Sequence, residues 1–242
     1  MSSDNVFKTL PPLPFKFNFP QCVLFNQEIL ICGSANTNVC YSYHLTQQRY
    51  KLICSYPEDV EIENQVVIKC KGDRNQITLF SFGGSNRVTL MMRYRSVWDE
   101  KNNRRNIWQR TFHNVIDPED MDMPVHAVIG GSKNQLLFYV CPLGRIRVVN
   151  VHSLEQVGQG QLPINCIDGS YCLVRMYHYL LFVHTRDAFC IQYDEILSTF
   201  SYKEFPVCPD LKFVRNYSYA CVKNLLMIFG GRKNHQCLDK IY

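Results

Sequence analysis

Ile77-Thr78-Leu79-Phe80-Ser81-Phe82-Gly83-Gly84 is a short apolar strand that closes on two glycines. The same phrase recurs as Glu28-Ile29-Leu30-Ile31-Cys32-Gly33 and as Leu225-Leu226-Met227-Ile228-Phe229-Gly230-Gly231. Each copy follows another apolar strand across a polar turn, at residues 21–25, 66–69 and 219–222. A tyrosine comes at a similar distance after the glycines: Tyr43, Tyr94 and Tyr242. A strand phrase repeated at a fixed period is the mark of a repeat architecture, so the period decides the fold.

Two further units keep the strands and lose the glycines. Residues 126–129 and 136–141 form one hairpin, with 145–151 as a third strand; residues 172–176, 179–184 and 188–193 repeat it, with 199–205 as a fourth. The second strands end near positions 33, 84, 141, 185 and 231, a spacing scattered around the ~50 residues of one propeller blade. A four-stranded sheet with two apolar faces is not stable alone, so several must stack radially. The expected fold is therefore all-β: about five four-stranded antiparallel blades at 21–57, 65–115, 125–163, 171–209 and 217–242, in one domain over 1–242.

Composition agrees. The 242 residues are 46% hydrophobic and 19% charged, with 15 Phe, 14 Tyr and 2 Trp, which excludes a disordered or highly charged chain and favours strands. The longest apolar run, residues 136–141, is far short of the ~18 residues needed to span a bilayer. The N-terminus lacks the basic start and apolar stretch of an export signal, so the 12 cysteines are expected as reduced thiols in the cytoplasm. No Cys-x-x-Cys pair occurs and the seven histidines show no i,i+4 pair, so no metal site or cofactor is expected. The formal charge of +5 is too mild to call for nucleic acid.

The sequence resembles the kelch-repeat β-propeller family. Gly83-Gly84, Tyr94 and Trp108 follow the order of that repeat; Gly33, Tyr43 and Tyr50 follow it with Ser34 for the second glycine and Tyr50 for the tryptophan; Gly230-Gly231 opens a further copy. In the third and fourth units the glycines are replaced by Cys141-Pro142 and His184-Thr185. The resemblance implies a protein-interaction module, an adaptor or scaffold. It also raises a rival, the galactose-oxidase-like copper oxidoreductases, whose modified tyrosine and paired histidines no spacing here picks out. A purely structural propeller in a larger assembly is a third reading. Kelch rings usually have six or seven blades, so the chain reads as an incomplete ring, and such a ring would self-associate; the alternative is a closed five-bladed ring. In either case residues 6–10 are expected as an outer strand.

No catalytic set stands out. In a four-stranded blade the turns between second and third strands open on the same face as the links between blades. Four such turns carry Arg87, Arg145, Arg186 and Arg232, the last beside Lys233. Guanidinium groups grip carboxylates bidentately, so these residues predict protein partners bearing an acidic peptide, and neither nucleic acid nor membrane. The links on that face are acidic, at Glu58, Asp59, Glu61 and Glu63 and again at Asp117, Glu119, Asp120 and Asp122, and are available to neutralise the arginines. Leu10-Pro11-Pro12-Leu13-Pro14 reads as a stiff connection, with a ligand for a proline-binding domain as the alternative.

Overall fold

A computed structural model describes residues 9–34, 36–63, 65–83, 88–101, 104–116, 126–164, 171–222 and 225–242. The chain divides into two compact units, residues 1–111 and 112–242.

The first unit holds two antiparallel four-stranded sheets, each a simple meander. One comprises β1 (Gln21–Phe25), β2 (Glu28–Ser34), β3 (Thr37–His44) and β4 (Arg49–Ser55); the other β5 (Gln65–Gly72), β6 (Gln76–Gly83), β7 (Leu90–Arg95) and β8 (Gln109–Arg110). The second strands are largely apolar because they are buried on both faces: after Gln76, every residue of β6 is buried. The fourth strand β4 mixes half-buried and exposed positions, as an edge does.

The glycine phrases do what their spacing predicted. Gly33 and Gly83 close β2 and β6 at φ +60° and +101°, the left-handed region where a Cβ is strained. Ser34, standing for a second glycine, is buried and grips the incoming chain: its Oγ accepts from the Asn18 N–H at 2.5 Å and donates to the Asn18 carbonyl at 2.9 Å. The repeat aromatics fill the space between the two sheets. Tyr94 and Trp108 lie in one core with Phe25, Leu30, Ile77 and Leu79, and Trp108 stacks on Tyr56 with ring centroids 4.9 Å apart.

Tyr43 is buried and pairs with Tyr50 at 4.8 Å. The Tyr50 hydroxyl donates to the Pro11 carbonyl at 3.1 Å, so the proline segment is fastened to the first sheet as a connection. Glu28, at a turn in the sequence, is buried: its Oε2 accepts from the Tyr94 hydroxyl at 2.5 Å and the Ser42 hydroxyl at 2.6 Å. A charge-assisted pair of this kind ties β2 to the neighbouring sheet.

The second unit repeats the plan. Its sheets are β9 (His126–Gly130), β10 (Leu136–Val140), β11 (Arg145–Asn150) and β12 (Gln156–Gln161), then β13 (Tyr171–Met176), β14 (Tyr179–His184), β15 (Ala188–Asp194) and β16 (Thr199–Glu204). Gly158 and Gly160 on β12 make room for Tyr193 and Phe200 of the following sheet; an added Cβ would come within 2.4–2.5 Å of those rings. Where Cys141 and His184 replace the glycines both side chains are buried, so sulfur and imidazole occupy ground that glycine leaves open elsewhere.

The fifth expected blade is corrected. Residues 217–242 contain a two-stranded sheet, β17 (Ser218–Val222) with β18 (Leu225–Phe229), and a small hairpin, β19 (Arg232–Lys233) with β20 (Gln236–Cys237). Among the described residues four sheets, not five, have four strands. The last residues run back along β18: the Tyr242 N–H donates to the Ile228 carbonyl at 2.7 Å, and Phe229 bridges Ile241. Only one residue of β18 is buried, so this piece lacks the doubly covered central strand of the other sheets.

Residues 6–8 of the expected outer strand lie outside the described residues, and Thr9 and Leu10 are in no strand. No helix among the described residues is long and apolar enough to cross a membrane.

Candidate functional site

The basic residues expected on one face separate into groups. Gly84 and Arg87 lie outside the described residues, as do the acidic residues Asp117, Glu119, Asp120 and Asp122. Arg145 heads β11, half-buried, opposite Gln161. Arg186, Arg232 and Lys233 belong to one neighbourhood at the end of the second unit, and the structure adds Arg215 to it.

That neighbourhood follows from local chemistry. β14 ends at His184, and the turn to β15 closes when the His184 N–H donates to the Asp187 carbonyl at 2.8 Å; the same two side chains approach to 3.6 Å. This turn leaves Arg186 exposed, with its guanidinium 5.5 Å from the centre of the Phe213 ring. Phe213 is itself 57% exposed. It is held out because Leu211 and Val214 on either side are buried, and it takes a left-handed φ of +67°.

Two residues on, Arg215 meets Arg232. Each N–H donates to the other's carbonyl, at 2.9 and 2.7 Å. Mutual bonding of this kind makes a directly opposed antiparallel pair, so both side chains leave the same face. Gly231 permits the approach: at φ +96°, it has no Cβ to strike Val214 at 2.6 Å or the Arg215 carbonyl at 2.9 Å. Arg232 then starts β19, paired with β20 across Asn234-His235, both at positive φ, the two-residue turn that suits a twisted hairpin.

Among the described residues no carboxylate pairs with Arg186, Arg232 or Lys233. Of the acidic links that were available to neutralise the basic face, Asp59 is paired with another residue. In the first unit Asp59 pairs with Arg110 at 2.6 Å, and Glu61 and Glu63 line a notch of about 610 Å³ with Asn36 and Asn38.

A second cleft, about 370 Å³, lies between the β9–β10 and β13–β14 turns, with Phe138, Tyr179, Tyr193, Arg175 and Glu195 on its walls. Its charged groups brace the turns. Glu195 accepts from the Ser132 N–H at 2.5 Å and the Gln135 amide at 2.9 Å, while Arg175 donates to the Tyr177 carbonyl at 3.3 Å and to the Asn134 side chain.

No known family model matches the sequence, and neither does any curated protein. Solved structures do match by shape. The structure of YjhT aligns with a TM-score of 0.66 and 12% identity over 92% of this chain and 75% of that one. The β-propeller domain of Myceliophteria thermophila Cps50 (Swd1) aligns with a TM-score of 0.50 and 11% identity over 92% and 71%. The fold is a β-propeller.

A functionally unknown protein from Desulfotomaculum acetoxidans aligns similarly, at TM-score 0.52 and 11% identity over 87% and 68%. These identities establish the propeller and nothing finer. Four of its blades are the four-stranded sheets described above. Sequence reading located Arg186 by the turn between second and third strands, and Arg232 and Lys233 by their place after Gly230-Gly231, where the structure has β19. It missed Arg215 and Phe213, which sit in a link between sheets where no repeat marks the register.

Proposed function

We propose that this propeller is a non-catalytic, kelch-type protein-interaction module of the cytoplasm, an adaptor or scaffold. In this reading the edge formed by Arg186, Arg215, Arg232 and Lys233 captures an acidic segment of a partner protein. The observation that carries it is the opposed arginine pair, Arg215 facing Arg232 across mutual main-chain bonds. The pairing sends two guanidiniums out from one face, and each matches the fork of a carboxylate. Phe213 adds an exposed apolar surface beside Arg186 for the partner's own side chains. Positive φ at Gly33, Gly83, Gly230 and Gly231, with burial of Tyr43, Tyr94 and Trp108, supports the kelch type of repeat. The free thiols of the described cysteines support a reducing compartment.

The test is titration of a fluorescent glutamate-rich peptide onto the full chain. Arg215→Ala and Arg232→Ala are each expected to weaken binding about fivefold, the scale of an exposed ion pair, and raising salt should weaken it further. The bridge itself is made by main-chain atoms, so Arg232→Ala keeps the thermal stability of the parent. Equal affinity in parent and variants, or binding indifferent to salt, overturns the assignment of this edge. Stoichiometric copper bound by histidine in the purified protein overturns the non-catalytic reading.

A further inference from the structure

Three strands of the first blade carry cysteine in a single row. Cys32 on β2 faces Cys40 on β3, and Cys40 faces Cys54 on β4. Directly opposed residues have Cβ atoms ~4.5–5.5 Å apart on one face, so the three thiols stand side by side. The Cys40 sulfur accepts from Trp108 Nε1 at 3.4 Å. The Cys54 thiol lies 3.8 Å from the Met92 sulfur. Cys32 and Cys40 are buried, whereas Cys54 is half-buried on the outer strand.

The arrangement is asymmetric. Burial raises the Cys40 thiol, but hydrogen bonding to its sulfur outweighs burial and holds it well below the ordinary thiol range. Hydrogen bonding to Cys40 and burial raise Cys54. A thiolate-favouring sulfur beside a protonated neighbour is the arrangement of an attacking and a resolving cysteine. Opposed residues in an antiparallel pair have Cα atoms about 4.5 or 5.5 Å apart, and both separations fall in the range a disulfide spans.

We propose that Cys40 and Cys54 are a site of reversible oxidation by peroxide, which joins the first blade's third and fourth strands by a cross-strand disulfide. The Cys40 thiolate attacks one peroxide oxygen, the O–O bond breaks, and the departing hydroxide takes the Cys54 proton as water. The Cys54 thiolate then displaces hydroxide from the Cys40 sulfenic acid and forms the S–S bond. One peroxide is reduced and two thiols are oxidised; a dithiol reductant reverses the step. Cys54 is the partner because it is half-buried on an edge strand, the side from which solvent comes nearest to Cys40, whereas Cys32 is buried on β2, farther from that edge. This site is independent of the basic edge and of the function proposed for it.

The experiment treats the folded full chain with hydrogen peroxide, blocks remaining thiols with an alkylating reagent, and maps peptides without reduction. A Cys40–Cys54 linked peptide is expected to form before the exposed Cys208 and Cys237 are consumed. Trp108 fluorescence should fall with it and recover on adding dithiothreitol. Cys54→Ser should abolish the linked peptide and Cys32→Ser should preserve it. Recovery of Cys40 as an alkylated free thiol after the exposed cysteines have reacted overturns the proposal, as does a Cys32–Cys40 link in its place.

Discussion

Replacing Trp108 by alanine is expected to lower the folding stability of the chain by about 3–5 kcal/mol, the range for a large aromatic removed from a packed core. Trp108 is 3% exposed, stacks on Tyr56 at an interplanar angle of 17°, and donates its indole N–H to Cys40. Its loss opens a cavity against the core shared by the first two blades, since Leu79, Leu90 and Met92 belong to the same cluster. Trp108→Phe keeps most of the apolar volume and deletes the donor, so it is expected to cost about 1–2 kcal/mol, the scale of one buried polar group left without its partner. Urea unfolding of the three proteins checks both figures. A Trp108→Ala variant within about 0.5 kcal/mol of the parent would show that the side chain is no wedge between blades.

Acid is expected to destabilise the second unit through His126. The ring lies 4.4 Å from that of Tyr171 and 5.8 Å from that of Tyr219, with Nδ1 3.1 Å from the Tyr219 hydroxyl. Burial pushes its pKa down to about 4, and burial keeps the neighbouring Tyr219 a neutral phenol. The unfolded chain takes up this proton below about pH 6.5, and the folded chain only below about pH 4. Acidification through that window therefore favours unfolding: His126 takes nothing from stability above it and costs about 3 kcal/mol below it. The stability advantage of the parent over His126→Gln should shrink by about 2 kcal/mol between pH 7 and pH 5. Parallel pH profiles for the two proteins would mean that His126 is not held neutral.

Strand, turn and glycine were legible in the sequence because each reports a local constraint. Gly33 and Gly83 end strands at a backbone conformation other residues resist, and Tyr94 and Trp108 fill a wedge that only large rings fill. Other features are set across strands, where linear spacing does not reach. A search for Cys-x-x-Cys motifs passes over Cys32, Cys40 and Cys54, which meet through the register of three strands. Glu28 looks like a turn charge until Tyr94, from the next blade, is seen to close on it.

The fifth blade was over-read because its apolar run at Leu225–Phe229 matches the phrase of the others, yet that strand leaves Leu225 and Phe229 exposed. The basic edge was half legible for the same reason. The repeat locates Arg186 in its turn and Arg232 after its glycines, whereas Arg215 depends on a bridge that only the folded chain makes.

Hydrogen exchange on the full chain, with and without a saturating glutamate-rich peptide, tests the central claim most directly. The account predicts added protection confined to residues 184–188, 212–216 and 230–237, where Arg186, Arg215, Arg232 and Lys233 stand. Protection centred on the cleft between the β9–β10 and β13–β14 turns, or on the notch beside Glu61 and Glu63, would contradict it and move the binding surface away from the arginine pair.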